Sequence, residues 1–102
     1  MEGGGAERVF ALPYPVLLDL EEACGCGFGT LTRHVAEMDF RAKEVWSVVR
    51  FALIGGGMDK AEADRLMADR RDTTPFVEWV ALAAAILRVR MDGFAPTTGE
   101  AA

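Results

Sequence analysis

The chain has 102 residues, of which 51% are hydrophobic, and a formal net charge of −5. This length fits a single domain with a small core, and the apolar content excludes a chain that is disordered throughout. An acidic chain gains no counterion-release free energy from DNA or RNA, so nucleic-acid binding is not expected.

The segment from Glu7 to Leu12 alternates weakly between apolar and polar residues. This pattern fits either one short strand or extended chain along the helices, because a lone strand would need another copy as its partner. Pro13 ends any strand. Proline is favoured in a first helical turn, so we expect the first helix to begin near Pro15 and to run to about Ala23, where a glycine-rich turn ends it.

Apolar residues at helical spacing predict a second helix at about 30–38 and a third at about 40–54. Asp39 is placed to cap the third helix, and the glycines at 55–57 end it. The D-x-x-E spacing that begins at Asp59 is close to a capping box and predicts the start of a fourth helix.

Several polar residues of the third helix are expected to lie mostly off its apolar stripe. Among them are Glu44 and Ser47.

The fifth helix is predicted to open with Thr74 as its N-cap and Pro75 in its first turn, and Gly93 ends it. It is apolar over much of its circumference until Arg88. Such a helix is usually the central one of a small bundle, or it is covered by a partner.

The sequence therefore predicts an all-α fold, a small bundle of four to five helices, with one short N-terminal β-strand left open. We expect a single helical domain at residues 9–92. A flexible N-terminal segment at 1–8 and a flexible C-terminal tail at 93–102 would flank it.

Two cysteines, Cys24 and Cys26, are separated by one residue. A disulfide between them would be strained, and a metal site needs about four ligands. The single histidine, His34, could serve as a base for either thiol, but no nucleophile elbow and no family signature accompany it. We expect structural thiols, no metal site and no catalytic residue.

Two other motifs also lack supporting chemistry. Glu21 and Glu22 diverge by about 100° on a helix, so they are poorly placed to act together. The glycine-rich segment at 25–29 lacks the strand and the Gly-Lys-Ser/Thr ending of a phosphate loop. No enzyme activity and no cofactor are expected.

Location and charge patterning give further expectations. No run reaches the roughly 18 apolar residues of a membrane span, and the N-terminus lacks a signal peptide's basic start, so an intracellular protein without membrane contact is expected.

Six charged residues are expected to form a charge-balanced, solvated helix face: Asp64, Arg65, Asp69, Arg70, Arg71 and Asp72.

Three consecutive patterns carry a family resemblance. They are LLDLEEACGCG at 17–27, WSVVRFALIGGG at 46–57 and MDKAEA at 58–63. In this order and spacing the chain, over about residues 9–92, resembles the small gene transfer agent family proteins. That family is grouped with phage tail assembly chaperones, and some relatives are labelled tail tube proteins.

The resemblance implies a tail assembly chaperone that binds the tape measure protein in the host bacterial cytoplasm. The tail tube protein is a further expected partner, and a homo-oligomer is left open. A small acidic helical domain could cover an apolar stripe of a partner by helix-in-groove contact, anchored mainly by aromatic residues. The expected partner-binding residues are Leu17, Leu20, Trp46, Phe76, Trp79 and Val80.

Two other hypotheses remain open from the sequence. One is a structural tail component, a tube or adaptor protein retained in the phage-like particle. The other is a small helical DNA-binding regulator. The net charge of −5 and the lack of a basic recognition helix argue against the regulator.

Overall fold

The computed structural model describes residues 8–93, and the structural statements below refer to them. Five helices follow one another: α1 (Tyr14–Cys24), α2 (Phe28–Ala36), α3 (Ala42–Gly55), α4 (Lys60–Arg70) and α5 (Phe76–Asp92). No strand occurs in this part of the chain. The predicted all-α bundle is confirmed, whereas the predicted flexibility of the two ends falls mainly on residues outside the described range.

Helix α3 occupies the centre of the bundle. It packs against α1, α4 and α5, and α5 also packs against α2. Its buried side chains include Val45, Val48, Val49, Ala52 and Leu53. The fifth helix was predicted to be either the central helix of the bundle or a helix covered by a partner. The central helix is α3, not α5. Helix α5 buries one side and leaves the other exposed.

The residues before α1 lie as extended chain along the helices, so the strand alternative is wrong for residues 8–12. The Ala11 N–H donates to the Ala52 carbonyl of α3 at 3.0 Å. The Arg90 Nε–H of α5 donates to the Leu12 carbonyl at 2.8 Å. Leu12 itself is buried in the core. The segment thus joins α3 to α5, and helix atoms take up two of its backbone polar groups, as buried backbone requires.

Two glycines at the C-terminal end of α3 make this close approach possible. A Cβ on Gly55 would collide with the Ala11 carbonyl oxygen, and a Cβ on Gly56 would collide with the Val9 carbonyl oxygen. These glycines were predicted as a helix stop. They also form the surface on which the N-terminal segment lies.

The predicted helix starts are partly correct. Asp59 caps α4, because its side chain accepts from the Ala61 N–H at 3.1 Å. Arg41, not Asp39, is the N-cap residue of α3, since the Glu44 carboxylate in the first turn accepts the Arg41 N–H at 3.0 Å.

Helix α5 begins later than expected. Pro75, not Thr74, holds its N-cap position, without a side-chain hydrogen bond. The Thr74 N–H instead donates to the Arg70 carbonyl at 3.1 Å, which ties this residue to the end of α4.

No helix within residues 8–93 is long and apolar enough to cross a membrane.

The predicted charge-balanced face, the six charged residues between positions 64 and 72, is confirmed as exposed.

Replacing Gly55 by alanine tests the close approach. We expect Gly55→Ala to lower the free energy of unfolding by about 1–3 kcal/mol, because the new methyl group overpacks a contact with backbone. The matched control is Gly29→Ala, whose Cβ would meet no atom within 4 Å. That change should be neutral or stabilising by up to about 1 kcal/mol, because alanine favours helix. Urea unfolding of both variants measures the difference, and equal effects would contradict the packing described.

Candidate functional site

A polar cluster forms where the turn between α1 and α2 meets the start of α3. Gly25 ends α1 in the left-handed conformation, with φ of 72°. The Glu21 carboxylate then accepts the Phe28 N–H at 2.7 Å and so caps the start of α2. A carboxylate at this position also complements the helix dipole. This turn holds Cys26 over the N-terminal end of α3.

Glu44 is the centre of the cluster. Its side chain is buried, with the residue only 5% exposed. One carboxylate oxygen accepts from Arg41 N–H. The other, Oε2, lies 3.0 Å from Nδ1 of His34 and 3.8 Å from Sγ of Cys26. Because an ionised carboxylate can only accept, Nδ1 of His34 carries the proton in this contact.

The cluster shifts the pKa values of its members in opposite directions. Burial alone would raise the pKa of Glu44, but hydrogen bonds from the Arg41 N–H and from His34 outweigh it and lower the pKa below its ordinary value. Burial and the Glu44 carboxylate raise the pKa of the Cys26 thiol. Burial also raises the pKa of Cys24, against a hydrogen bond with Ser47 that lowers it.

The Cys26–His34 pair considered from the sequence is therefore brought together, but in a form unsuited to nucleophilic catalysis. A nucleophilic cysteine needs a lowered pKa, and here the pKa of the thiol is raised.

Sequence reasoning missed Glu44, which was placed among the residues off the apolar stripe. The available signal was its position one turn before buried Val48 on the same face of α3. Ser47 is also buried, which corrects the same expectation.

A second feature is an apolar groove of about 390 Å³ between the N-terminal segment, α3, α4 and α5. Trp79 lines it, and the indole N–H of Trp79 is buried without a hydrogen-bond partner among the described residues. An unpaired buried donor costs about 1–3 kcal/mol. The groove is lined by Arg8, Phe10, Val49, Leu53, Leu66, Met67, Arg70, Thr74, Glu78, Trp79 and Leu82.

A third feature is the outer face of α5. Val77 is 67% exposed and Met91 is 51% exposed. Between them lie three exposed alanines and one exposed arginine at positions that share one side of the helix. We call this surface the α5 outer face: Val77, Ala81, Ala84, Ala85, Arg88 and Met91.

The six expected partner-binding residues are divided between core and surface. Leu20 is fully buried, and Trp79 and Val80 are also buried, so they support the fold in this conformation. Leu17 and Trp46 are half-buried. Phe76 is 41% exposed.

Aromatic pairs connect several of these residues. The Trp46 and Trp79 ring centroids are 5.2 Å apart. Phe76 packs beside Phe40 at 6.1 Å. Partner binding at the six positions stays a prediction.

One comparison with known proteins gives a match. A family model described as "Phage tail tube protein, GTA-gp10" matches residues 1–93. Neither the curated proteins nor the solved structures contain a match to the chain.

The lowered pKa of Glu44 predicts a pH-dependent contribution to stability. A carboxyl whose pKa is lowered by folding stabilises the protein above the ordinary glutamate pKa of about 4.3, and this stabilisation is lost as the pH falls below it. We expect Glu44→Gln to lower the free energy of unfolding by about 1–2 kcal/mol at pH 7. The difference from the unsubstituted chain should shrink at low pH.

Chemical unfolding across a pH series measures both effects. Glu22→Gln, at an exposed position of the same residue type, is the control and should change stability by less than about 0.5 kcal/mol. A Glu44→Gln effect that does not vary with pH would show that the ionised carboxylate is not the stabilising form.

Proposed function

Because the chain belongs to the phage tail tube protein family GTA-gp10, we propose that it is a non-catalytic structural component of the tail of a phage-like particle. The family match covers residues 1–93, which include every helix of the described structure. Beyond the family description, the proposal rests on the exposed α5 outer face. It is a helix surface of mainly small or apolar side chains with one ion pair, and no other part of the described chain covers it.

A tube requires copies of a subunit to contact one another repeatedly. A chain of 11.0 kDa can build a tube only from many copies. Head-to-tail contacts between two different surfaces give rings when they close and helical filaments when they do not. Each subunit must therefore keep apolar surface that its own fold does not bury.

The α5 outer face meets this requirement, and we assign it to contact with a second copy of the chain. Val77 and Met91 supply exposed apolar side chains near the two ends of the helix. The alanines at 81, 84 and 85 are small, so a second backbone can approach closely along the middle. Arg88 and Asp92, both exposed, lie on the same side near the C-terminal end of the helix and pair with each other at 3.6 Å, which balances the charge within this surface.

A tail assembly chaperone that binds a tape measure protein is the second candidate function. The family description names a tube protein, and the chaperone role has no support from it. The groove beside Trp79 is the feature that favours this candidate. Its mostly apolar lining, with charged residues among it, suits an amphipathic helix of a partner.

Charged substitutions on the α5 outer face test the proposed self-association. We expect Ala81→Glu, which has no cation three or four residues away, to weaken association between copies at least about tenfold, since a factor of ten is 1.4 kcal/mol and an unpaired interface charge costs more. Ala85→Glu lies three residues before Arg88 and can pair with it, so it should weaken association less. Both alanines are exposed, so the fold of the single subunit should persist. Sedimentation at increasing protein concentration measures association, and circular dichroism checks the helices.

The matched control is Ala68→Glu, the same change at an exposed position of α4. It should leave association unchanged. Equal loss with the control would point to a general charge effect. If the α5 variants associate as strongly as the unsubstituted chain, the proposal that the α5 outer face contacts a second copy is wrong.

A further inference from the structure

We propose that Cys26, His34 and Glu44 form a zinc-binding site. The inference is independent of the proposed tail function, because it rests on donor atoms inside one subunit. Cys26 Sγ, one His34 ring nitrogen and one Glu44 carboxylate oxygen all lie within 4.8 Å of one another. They come from three parts of the fold: the turn after α1, helix α2 and the first turn of α3.

The donor types match the chemistry of zinc. Zn²⁺ takes cysteine sulfur at about 2.3 Å, histidine nitrogen at about 2.0–2.1 Å and carboxylate oxygen at about 2.0–2.2 Å, usually in a tetrahedron. Hard cations such as Mg²⁺ and Ca²⁺ prefer oxygen donors alone. One sulfur, one nitrogen and one oxygen donor together therefore favour zinc over the alkaline-earth ions.

The distances between donors are close to those of a tetrahedral site. Those bond lengths place neighbouring donors about 3.4–3.6 Å apart. The Glu44 Oε2 atom lies 3.0 Å from Nδ1 of His34 and 3.8 Å from Sγ of Cys26. These two separations need to change by less than about half an ångström, and the Cys26 Sγ atom lies within 4.8 Å of a His34 ring nitrogen. Side-chain rotation can bring the three donors to tetrahedral spacing.

The surroundings hold the donors in place. Arg41 N–H binds the second oxygen of Glu44 at 3.0 Å and fixes the carboxylate. Such support of a ligand by a second hydrogen bond is typical of metal sites. Cys26 follows the glycine turn that Glu21 stabilises through Phe28. The His34 side chain is 25% exposed, so a water molecule can reach the fourth position.

The charges and protons balance on binding. Zn²⁺ replaces the thiol proton of Cys26, which goes to solvent, and the thiolate and carboxylate together neutralise the ion. The imidazole proton now on Nδ1 of His34 moves to Nε2 through exchange with water, and Nδ1 becomes a ligand. The buried Glu44 carboxylate then faces the metal cation.

Zinc titration of the tag-free full chain tests the site. After equilibration with ZnCl₂ and removal of free metal, elemental analysis should find about one zinc per chain. Cobalt substitution should give absorption bands of tetrahedral Co²⁺, with a thiolate charge-transfer band. Zinc should also raise the unfolding temperature, because a ligand that binds the folded state stabilises it.

Variants decide which residues bind. Cys26→Ser and His34→Gln should each weaken zinc affinity at least about tenfold, the lower end of what even supporting residues contribute, and Cys26→Ser should abolish the charge-transfer band. Cys24→Ser, at the neighbouring thiol, is the matched control and should bind as the unsubstituted chain does. Circular dichroism checks that each variant folds. If Cys26→Ser does not fold, His34→Gln provides the second test of the ligand set.

Two results would overturn the proposal. One is less than about a tenth of an equivalent of zinc bound, without a change in the unfolding temperature. The other is zinc binding that Cys26→Ser leaves intact or that Cys24→Ser weakens equally, since the ion would then lie elsewhere.

Discussion

Helix α3 can be buried only if several other segments cover it, and this requirement organises the whole bundle. Its buried stripe includes Val45, Val48, Val49, Ala52 and Leu53. Helices α1, α4 and α5 each cover part of that surface. The extended N-terminal segment reaches its C-terminal end through the hydrogen bond from Ala11 to Ala52. At roughly 1.5–3 kcal/mol for each large apolar side chain, burial along this one helix is a main source of stability.

The two ends of α3 then acquire different roles. At its C-terminal end, Gly55 and Gly56 bring the helix against the N-terminal segment. At its N-terminal end, Glu44 is drawn inward with the buried stripe and meets His34 and Cys26. Helix α5 covers α3 with one side, and what it leaves uncovered is the α5 outer face. The proposed zinc site and the proposed contact between copies therefore both follow from how α3 is buried.

Local sequence patterns were enough to predict the helices but not their neighbours. Glycine breaks, the Asp59 cap and apolar spacing are signals within a few residues, and the five helices follow them. The central position of α3 depends on which faces meet, and periodicity does not report that. The width of the apolar face of α5 suggested either a central helix or a helix covered by a partner, and the structure decides against the central position.

The candidate sites were harder to predict for the same reason. The sequence offers Cys26 and His34 as a possible pair, but it places Glu44 among the polar residues off the apolar stripe of α3. Its burial results from the close contact of three chain segments. Leu20, Trp79 and Val80 were expected to bind a partner because they are large and apolar, yet burial in the core explains the same property.

The composition of purified particles tests the central claim most directly. Quantitative mass spectrometry would count copies of the chain, relative to the other tail proteins, in particles freed of cell lysate. A structural tail component predicts many copies per particle, retained through purification. Absence of the chain from the particles, together with its recovery from cells in a complex with the tape measure protein, would contradict the structural role and favour the chaperone.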